Sequence, residues 1–347
     1  MKKQRLSHVF GVSRDFPLTY VESKYVDTKF QNNFARDKHI VVYGGSKQGK
    51  TCLRKHSLQS KDYIVVQCGN TTDAHQLYSI ILKEAGATTK VTEQKTTRGT
   101  FKLGVEFSAK GKVPLLAEGK GEAKGSGERQ IEVPSKNQYL EIDPADPNDV
   151  IRVLDSMRFQ KFIVLEDFHY LSEDVQKEIA IDLKAFHEKS KLCFIIVGVW
   201  LESNRLVLYN GDLAGRLIPI DADKWEEADL SRVIETGESL LNIVFPEPVK
   251  DQILLAAEEN VGILQETCYR LCQDTRVHMT QDAPKEVGSV ENVDKIVNEI
   301  AAEQAGRYQN FLTQFAEGFQ KTKLDMYRLL AYVLITATPP ELRAGLK

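Results

Sequence analysis

The stretch His39-Ile40-Val41-Val42-Tyr43-Gly44-Gly45-Ser46-Lys47-Gln48-Gly49-Lys50-Thr51 decides the fold of this chain. His39 to Tyr43 is a short run rich in β-branched residues, and Cys52-Leu53-Arg54-Lys55-His56-Ser57-Leu58 behind the stretch is compatible with a helix. Between the two, Gly44 to Thr51 meets the phosphate-loop pattern G-x-x-x-x-G-K-[ST] at every specified position. Strand, loop and helix is the order this chemistry needs. Glycines let backbone N–H groups converge on phosphate oxygens, and the helix start adds its partial positive charge to the cradle. The pattern predicts a nucleoside-triphosphate site built from Gly44, Gly45, Ser46, Lys47, Gln48, Gly49, Lys50, Thr51 and Cys52. Lys50 is expected to reach the β- and γ-phosphates, and the Thr51 hydroxyl to ligate Mg²⁺.

At 347 residues the chain is long enough for two or three domains, and its 42% hydrophobic content supplies a core. A net charge of −3 with 27% charged residues excludes a global basic excess, so any nucleic-acid contact has to come from a local patch. The longest apolar runs, such as Phe194 to Trp200, fall far short of the roughly 20 residues a membrane span needs. The N-terminus, Met1-Lys2-Lys3-Gln4-Arg5-Leu6-Ser7-His8, starts basic without the apolar block of a secretory signal. A cytoplasmic location and no membrane partner are the expectation. The five cysteines, Cys52, Cys68, Cys193, Cys268 and Cys272, lack paired spacing and read as reduced thiols. Cys268 and Cys272 would lie one helical turn apart, but no second Cys/His pair accompanies them, which favours core packing over half a metal site.

Working outward, residues 1–36 form an N-terminal segment, with Phe16-Pro17-Leu18-Thr19-Tyr20-Val21 extended and a short helix over Lys29 to Ala35. A P-loop NTPase domain of α/β class is expected over 37–222, where strands at 40–43, 63–68, 162–165, 192–199 and 217–220 alternate with helices. Short apolar strands separated by helices indicate a parallel sheet covered on both faces. Leu192 to Val199, the most apolar strand, belongs at its centre. Thr71-Thr72-Asp73 before Leu77, Ile80, Ile81 and Leu82 offers a helix cap. An insertion over 88–137 has Phe101, Leu103, Val105 and Phe107 alternating with polar residues and then a Gly- and Lys-rich stretch, the pattern of an inserted β-hairpin or a flexible loop. It carries ten basic residues against six acidic ones, so it can meet nucleic acid or a neighbouring subunit, or be an ordinary solvated excursion. Residues 223–310 read as a helical lid bundle, and 311–347 as a C-terminal helical segment with the start of a winged-helix-like unit.

A second motif lies at Phe162-Ile163-Val164-Leu165-Glu166-Asp167. An apolar strand closing on two carboxylates supplies one acid for the Mg²⁺ shell and a neighbour that orients the attacking water.

With the phosphate loop, this acidic strand end and the segment Asp212-Leu213-Ala214-Gly215-Arg216 in that order, residues 16–275 resemble the AAA+/STAND class of P-loop ATPases. The likeness is to the origin-recognition-like and transposition-regulator branches and to bacterial phage-defence ATPases. The resemblance implies ATP and Mg²⁺ as cofactors. The class usually has apolar-Asp-Glu-x-His, whereas Leu165-Glu166-Asp167-Phe168-His169 exchanges the acids. By position Glu166 is then the metal-shell residue and Asp167 the water-activating one, and the shorter second acid implies slow turnover. Arg216 resembles the arginine finger that a neighbouring protomer's γ-phosphate receives, the third catalytic residue. Tyr20 and Val21 match the segment that packs against adenine. The class expects a second sensing arginine near Gly262-Ile263-Leu264-Gln265-Glu266, where only Gln265 offers a polar contact, and its first sensor position is apolar here at Gly198-Val199-Trp200.

Together these residues predict an ATP-binding, slowly hydrolysing molecular switch. Its nucleotide state would control assembly, as a homo-oligomer or with an effector protein, in anti-phage defence if the resemblance extends that far. The alternative is an ATP-licensed nucleic-acid-binding adaptor of the transposition or replication type, using the basic insertion. A small-molecule kinase fits less well, since no acceptor pocket is evident.

Overall fold

The computed structural model describes residues 3–11, 16–95, 101–109, 136–200 and 203–317, with residues 332 and 336. In chain order its elements are α1 (Leu6–Val9), α2 (Val26–Gln31), β1 (His39–Tyr43), α3 (Lys50–Ser57), β2 (Tyr63–Gln67), α4 (Ala74–Glu84), β3 (Thr88–Lys95) and β4 (Phe101–Ala109). There follow β5 (Lys136–Ile142), α5 (Pro147–Ser156), β6 (Phe162–Glu166), α6 (Glu173–Lys189), β7 (Phe194–Val197), α7 (Arg205–Tyr209) and β8 (Leu217–Asp221). The chain closes with α8 (Glu227–Leu241), β9 (Ile243–Val244), α9 (Glu247–Ala257), α10 (Val261–Asp274), β10 (Lys285–Glu286) and α11 (Val290–Glu317). Two compact units result. A sheet unit holds Tyr20–Leu230 and Glu259–Gly262, and a helical unit holds the described residues of Met1–Thr19, Ser231–Glu258 and Ile263–Lys347.

In the sheet unit five parallel strands run in the order β2-β6-β7-β1-β8. The most apolar strand, β7, is central, as its composition predicts, because a strand flanked on both sides and both faces has nowhere to place a polar side chain. Side chains alternate between two cores. Val41, Leu165 and Ile196 face a layer with Leu77, Ile81, Val153, Leu183 and Phe186 from α4, α5 and α6. Ile40, Val42, Val164, Ile195, Ile218 and Ile220 face Val26, Phe30 and Leu53 from α2 and α3. Each such burial contributes about 1.5–3 kcal/mol. The cap expected before α4 is present as a reciprocal capping box, with the Asp73 carboxylate accepting from the Gln76 N–H and the Gln76 side chain accepting from the Asp73 N–H. Pro219 sits in β8, an edge strand, the place in a sheet that tolerates a residue without N–H.

The inserted hairpin is β3 against β4, and β5 adds a third antiparallel strand that ends at Ile142, beyond the predicted boundary. Leu103, Val105, Phe107 and Ile142 are buried in the core shared with α4 and α5, which is what draws in the extra strand. Residues 110–135 of the insertion lie outside the described residues.

The helical unit has a short parallel ladder of β9 with β10, Phe10 packed edge-on against Phe245 at 6.2 Å, and an Arg270–Glu303 ion pair at 2.7 Å. The expected N-terminal segment 1–36 is divided. Leu6, Val9 and Phe10 bury their apolar side chains in the helical unit, and Val26 and Phe30 bury theirs under the sheet. The helical unit resumes at Ser231 rather than at 223. Of the C-terminal helical segment predicted over 311–347, residues 318–347 with the winged-helix start fall outside the described residues apart from 332 and 336.

Candidate nucleotide site

The phosphate loop leaves β1 at its carboxyl end. Gly44 (φ 135°) and Gly49 (φ 79°) take conformations that side chains resist, and Lys47 (φ 63°) shares the left-handed region at the loop crest. Ser46 and Lys47 are exposed there, and Gln48 is buried beneath. Gly44 is required for a second reason. A Cβ on it would lie 2.7 Å from Asp223 Oδ1. That carboxylate, two residues past β8, accepts the Gly45 N–H with both oxygens at 2.7 and 2.9 Å. Burial raises the Asp223 pKa, the Gly45 amide opposes that shift, and Asp221 adds to it. Lys50, the first residue of α3, donates from Nζ to the carbonyls of Gly44 (3.0 Å) and Gly45. Burial lowers its pKa, against the opposing fields of Asp223, Asp167 and Glu166 in that order. The half-buried ammonium is thus already held inside the loop it is expected to serve.

Beside the loop opens a narrow cleft lined by Tyr20, Asp27, Gln48, Gly49, Leu53 and Trp225 among others. Tyr20 forms one wall, with its hydroxyl donating to Asp27 Oδ1 and its ring 4.6 Å from that of His56. Asp27 Oδ2 accepts the Ser23 N–H at 2.9 Å, and burial raises the Asp27 pKa. Val21 is buried at 7% exposure and does not line the cleft, and Cys52 is half-buried outside it. Trp225 was not anticipated. Its Nε1 and Gln48 Oε1 are buried polar atoms with no hydrogen-bond partner among the described residues, a donor and an acceptor at one cleft. The rule that ligands bind beyond the carboxyl ends of parallel strands points to this segment, since β8 neighbours β1.

Of the two residues expected to hold Mg²⁺, Thr51 is exposed at the open start of α3 and fits the role. Glu166 is committed elsewhere: its Oε1 accepts from Arg54 Nε of the same α3 at 2.9 Å. Asp167 follows with a left-handed backbone (φ 55°, ψ 37°), is half-buried, and accepts from Gln67 Nε2 at 2.5 Å. His169 Nδ1 accepts the Val199 N–H at 3.2 Å, tying the acidic segment to the residues after β7.

Arg216 lies just before β8, where its carbonyl accepts the N–H of His39, the first residue of β1. It therefore sits at the opposite end of the strands from the phosphate loop, about 16 Å away for a five-residue strand, and on the same chain it cannot serve that loop. Its guanidinium binds Glu188 at 2.7 Å and the Asp212 carbonyl, and its buried Nε has no partner among the described residues. Gln265 donates to Thr19 Oγ1 at 3.2 Å, within the helical unit.

Loop, acidic strand end and sheet order define the fold of P-loop ATPases. No family model matches the sequence, and no curated protein matches it either. Among solved structures, a Walker-type ATPase of Pyrococcus abyssi is similar with a TM-score of 0.53 at 12% identity, over 97% of this chain and 91% of its own. The ORC1 protein of Aeropyrum pernix, solved in complex with DNA, is similar with a TM-score of 0.51 at 10% identity, over 99% of this chain and 83% of its own. The fold is therefore the one these two structures have. Among the described residues no helix is long and apolar enough to cross a membrane.

Proposed function

We propose that the protein is an ATP-binding molecular switch of the AAA+/STAND type, with Mg²⁺ as companion ion and slow hydrolysis, whose nucleotide state controls assembly. The observation that carries this is the continuity of phosphate loop and cleft: Gln48, Gly49 and Lys50 line both. The position of Arg216, out of reach of its own loop, supports a finger offered to another protomer. A role in anti-phage defence rests on the resemblance alone. Replacing Lys50 with alanine tests the central claim by calorimetric titration with ATP. One charge-assisted contact, worth about 1.5–3 kcal/mol, corresponds to a loss of roughly ten- to hundredfold in affinity. Unchanged affinity would sink the phosphate-loop assignment. Light scattering with and without a slowly hydrolysed ATP analogue tests assembly, and a size that never changes counts against it.

A second reading is an ATP-licensed nucleic-acid adaptor. It is favoured by the basic excess of the insertion, by exposed Lys90 on β3, and by the DNA carried by the structurally similar ORC1 protein. Salt-dependent DNA retention that disappears on deleting residues 98–130 supports it, because phosphate contacts release counterions. No retention at low salt rejects it.

A further inference from the structure

Arg54 and Glu166 come from elements 112 residues apart in sequence, and their side chains are 7% and 8% exposed. A pair this dry has lost the hydration of both charges, so it persists only through good geometry and further contacts. Arg54 has such a contact: its guanidinium lies over the Tyr63 ring, 4.7 Å from the centroid. Tyr63 in turn pairs with Phe162 in the β2–β6 ladder, so the cation is gripped by the strands whose end carries the acids. Glu166, with Oε1 bound to Arg54 and its side chain only 8% exposed, offers little surface to a hydrated ion. Asp167 differs in each respect. Its left-handed backbone turns it off the strand, it is half-buried, and its field at Lys50 exceeds that of Glu166.

We propose that Arg54 is a positioning residue that withdraws Glu166 from the metal shell into a brace between α3 and β6, and that Asp167 is the carboxylate facing the metal-bound nucleotide. The inference rests on the ATP-binding reading above. It gives the exchanged acids a physical reason, since glutamate has the extra methylene with which to reach back to α3, and the shorter acid at the next position takes the outward place.

The test is titration of the full chain with ATP, with and without Mg²⁺, by calorimetry, alongside thermal melts. Asp167→Asn is expected to lose the gain in affinity that Mg²⁺ confers. Glu166→Gln is expected to keep that gain and to melt at lower temperature. Where the single variant fails to fold, the double variant Arg54→Met with Glu166→Met replaces it, because exchanging both charges for apolar groups strands neither. That double variant is expected to melt higher than Arg54→Met alone and to keep the Mg²⁺ gain. Retention of the gain by Asp167→Asn, or its loss in Glu166→Gln or in the double variant, overturns the inference. ATP binding that is indifferent to Mg²⁺ in the wild type overturns it too but leaves the phosphate-loop reading standing, whereas no ATP binding at all removes both.

Discussion

Replacing His39 with glutamine is expected to flatten the acid limb of the protein's stability curve. His39 opens β1 and is 1% exposed. Its Nδ1 accepts the Phe194 N–H at 3.1 Å, which leaves Nε2 to donate to the Leu183 carbonyl at 2.9 Å. The neutral ring satisfies both partners, whereas a protonated one would aim a donor at a donor. Burial pushes the His39 pKa down from 6.5 to about 4, with His187 adding to the shift. An unfolded chain therefore takes up this proton as the pH falls through 6.5, and the folded chain does not until about 4. The stability held by the neutral ring is whole above the upper value and drains away across that interval. Its slope approaches about 1.4 kcal/mol per pH unit, and the full loss is about 3 kcal/mol. Urea midpoints measured in steps from about pH 7 to about pH 4.5 for both proteins give the comparison. Buried carboxylates such as Asp27 and Asp223 titrate in both, so the difference isolates residue 39. Parallel curves for wild type and His39→Gln would refute the reasoning.

Gly262→Ala is expected to weaken ATP binding while the fold survives, since the new Cβ would stand 2.8 Å from Lys47 Cβ and 2.9 Å from its carbonyl oxygen; calorimetry with a melting curve checks both halves. The chain has two tryptophans, and only Trp225 lines the cleft, so ATP should quench fluorescence in Trp200→Phe and leave Trp225→Phe silent. Tyr78→Phe removes a buried donor to Asp182 at 2.8 Å and should cost about 1–2 kcal/mol in urea unfolding. Arg216→Ala should change stability by less than about 1 kcal/mol, as its ion pair with Glu188 is partly solvated, yet abolish nucleotide-dependent assembly in light scattering.

The parts of the fold that declare themselves locally are legible in the sequence. The β1–loop–α3 unit, the apolar β7 and the Asp73 cap depend on residues within a few positions of one another. The site is legible only where the same holds. Tyr20 is singled out by resemblance, but Trp225 stands after β8, the last strand of the parallel sheet, and only the strand order brings it beside Gly49. The pairing of Arg54 with Glu166 has no periodicity to reveal it, because neither residue is unusual on its own element. β5 escaped notice because its apolar face, Leu140 and Ile142, is too short to signal a strand until Leu103 and Val105 lie opposite. The Asp223 carboxylate on the Gly45 N–H is invisible for the same reason, as a loop residue gains meaning only from what folds against it.

Pro219 carries a consequence for how copies of this protein can meet. An exposed edge strand is a template on which another chain can continue the ladder, and proteins blunt such edges with residues that cannot donate. With a proline in β8, opposite Val41 in the register, the outer rim of the sheet has a gap in its row of donors. Sheet-to-sheet growth by another copy is discouraged along β8, and any association at that rim has to be made by side chains rather than by backbone pairing.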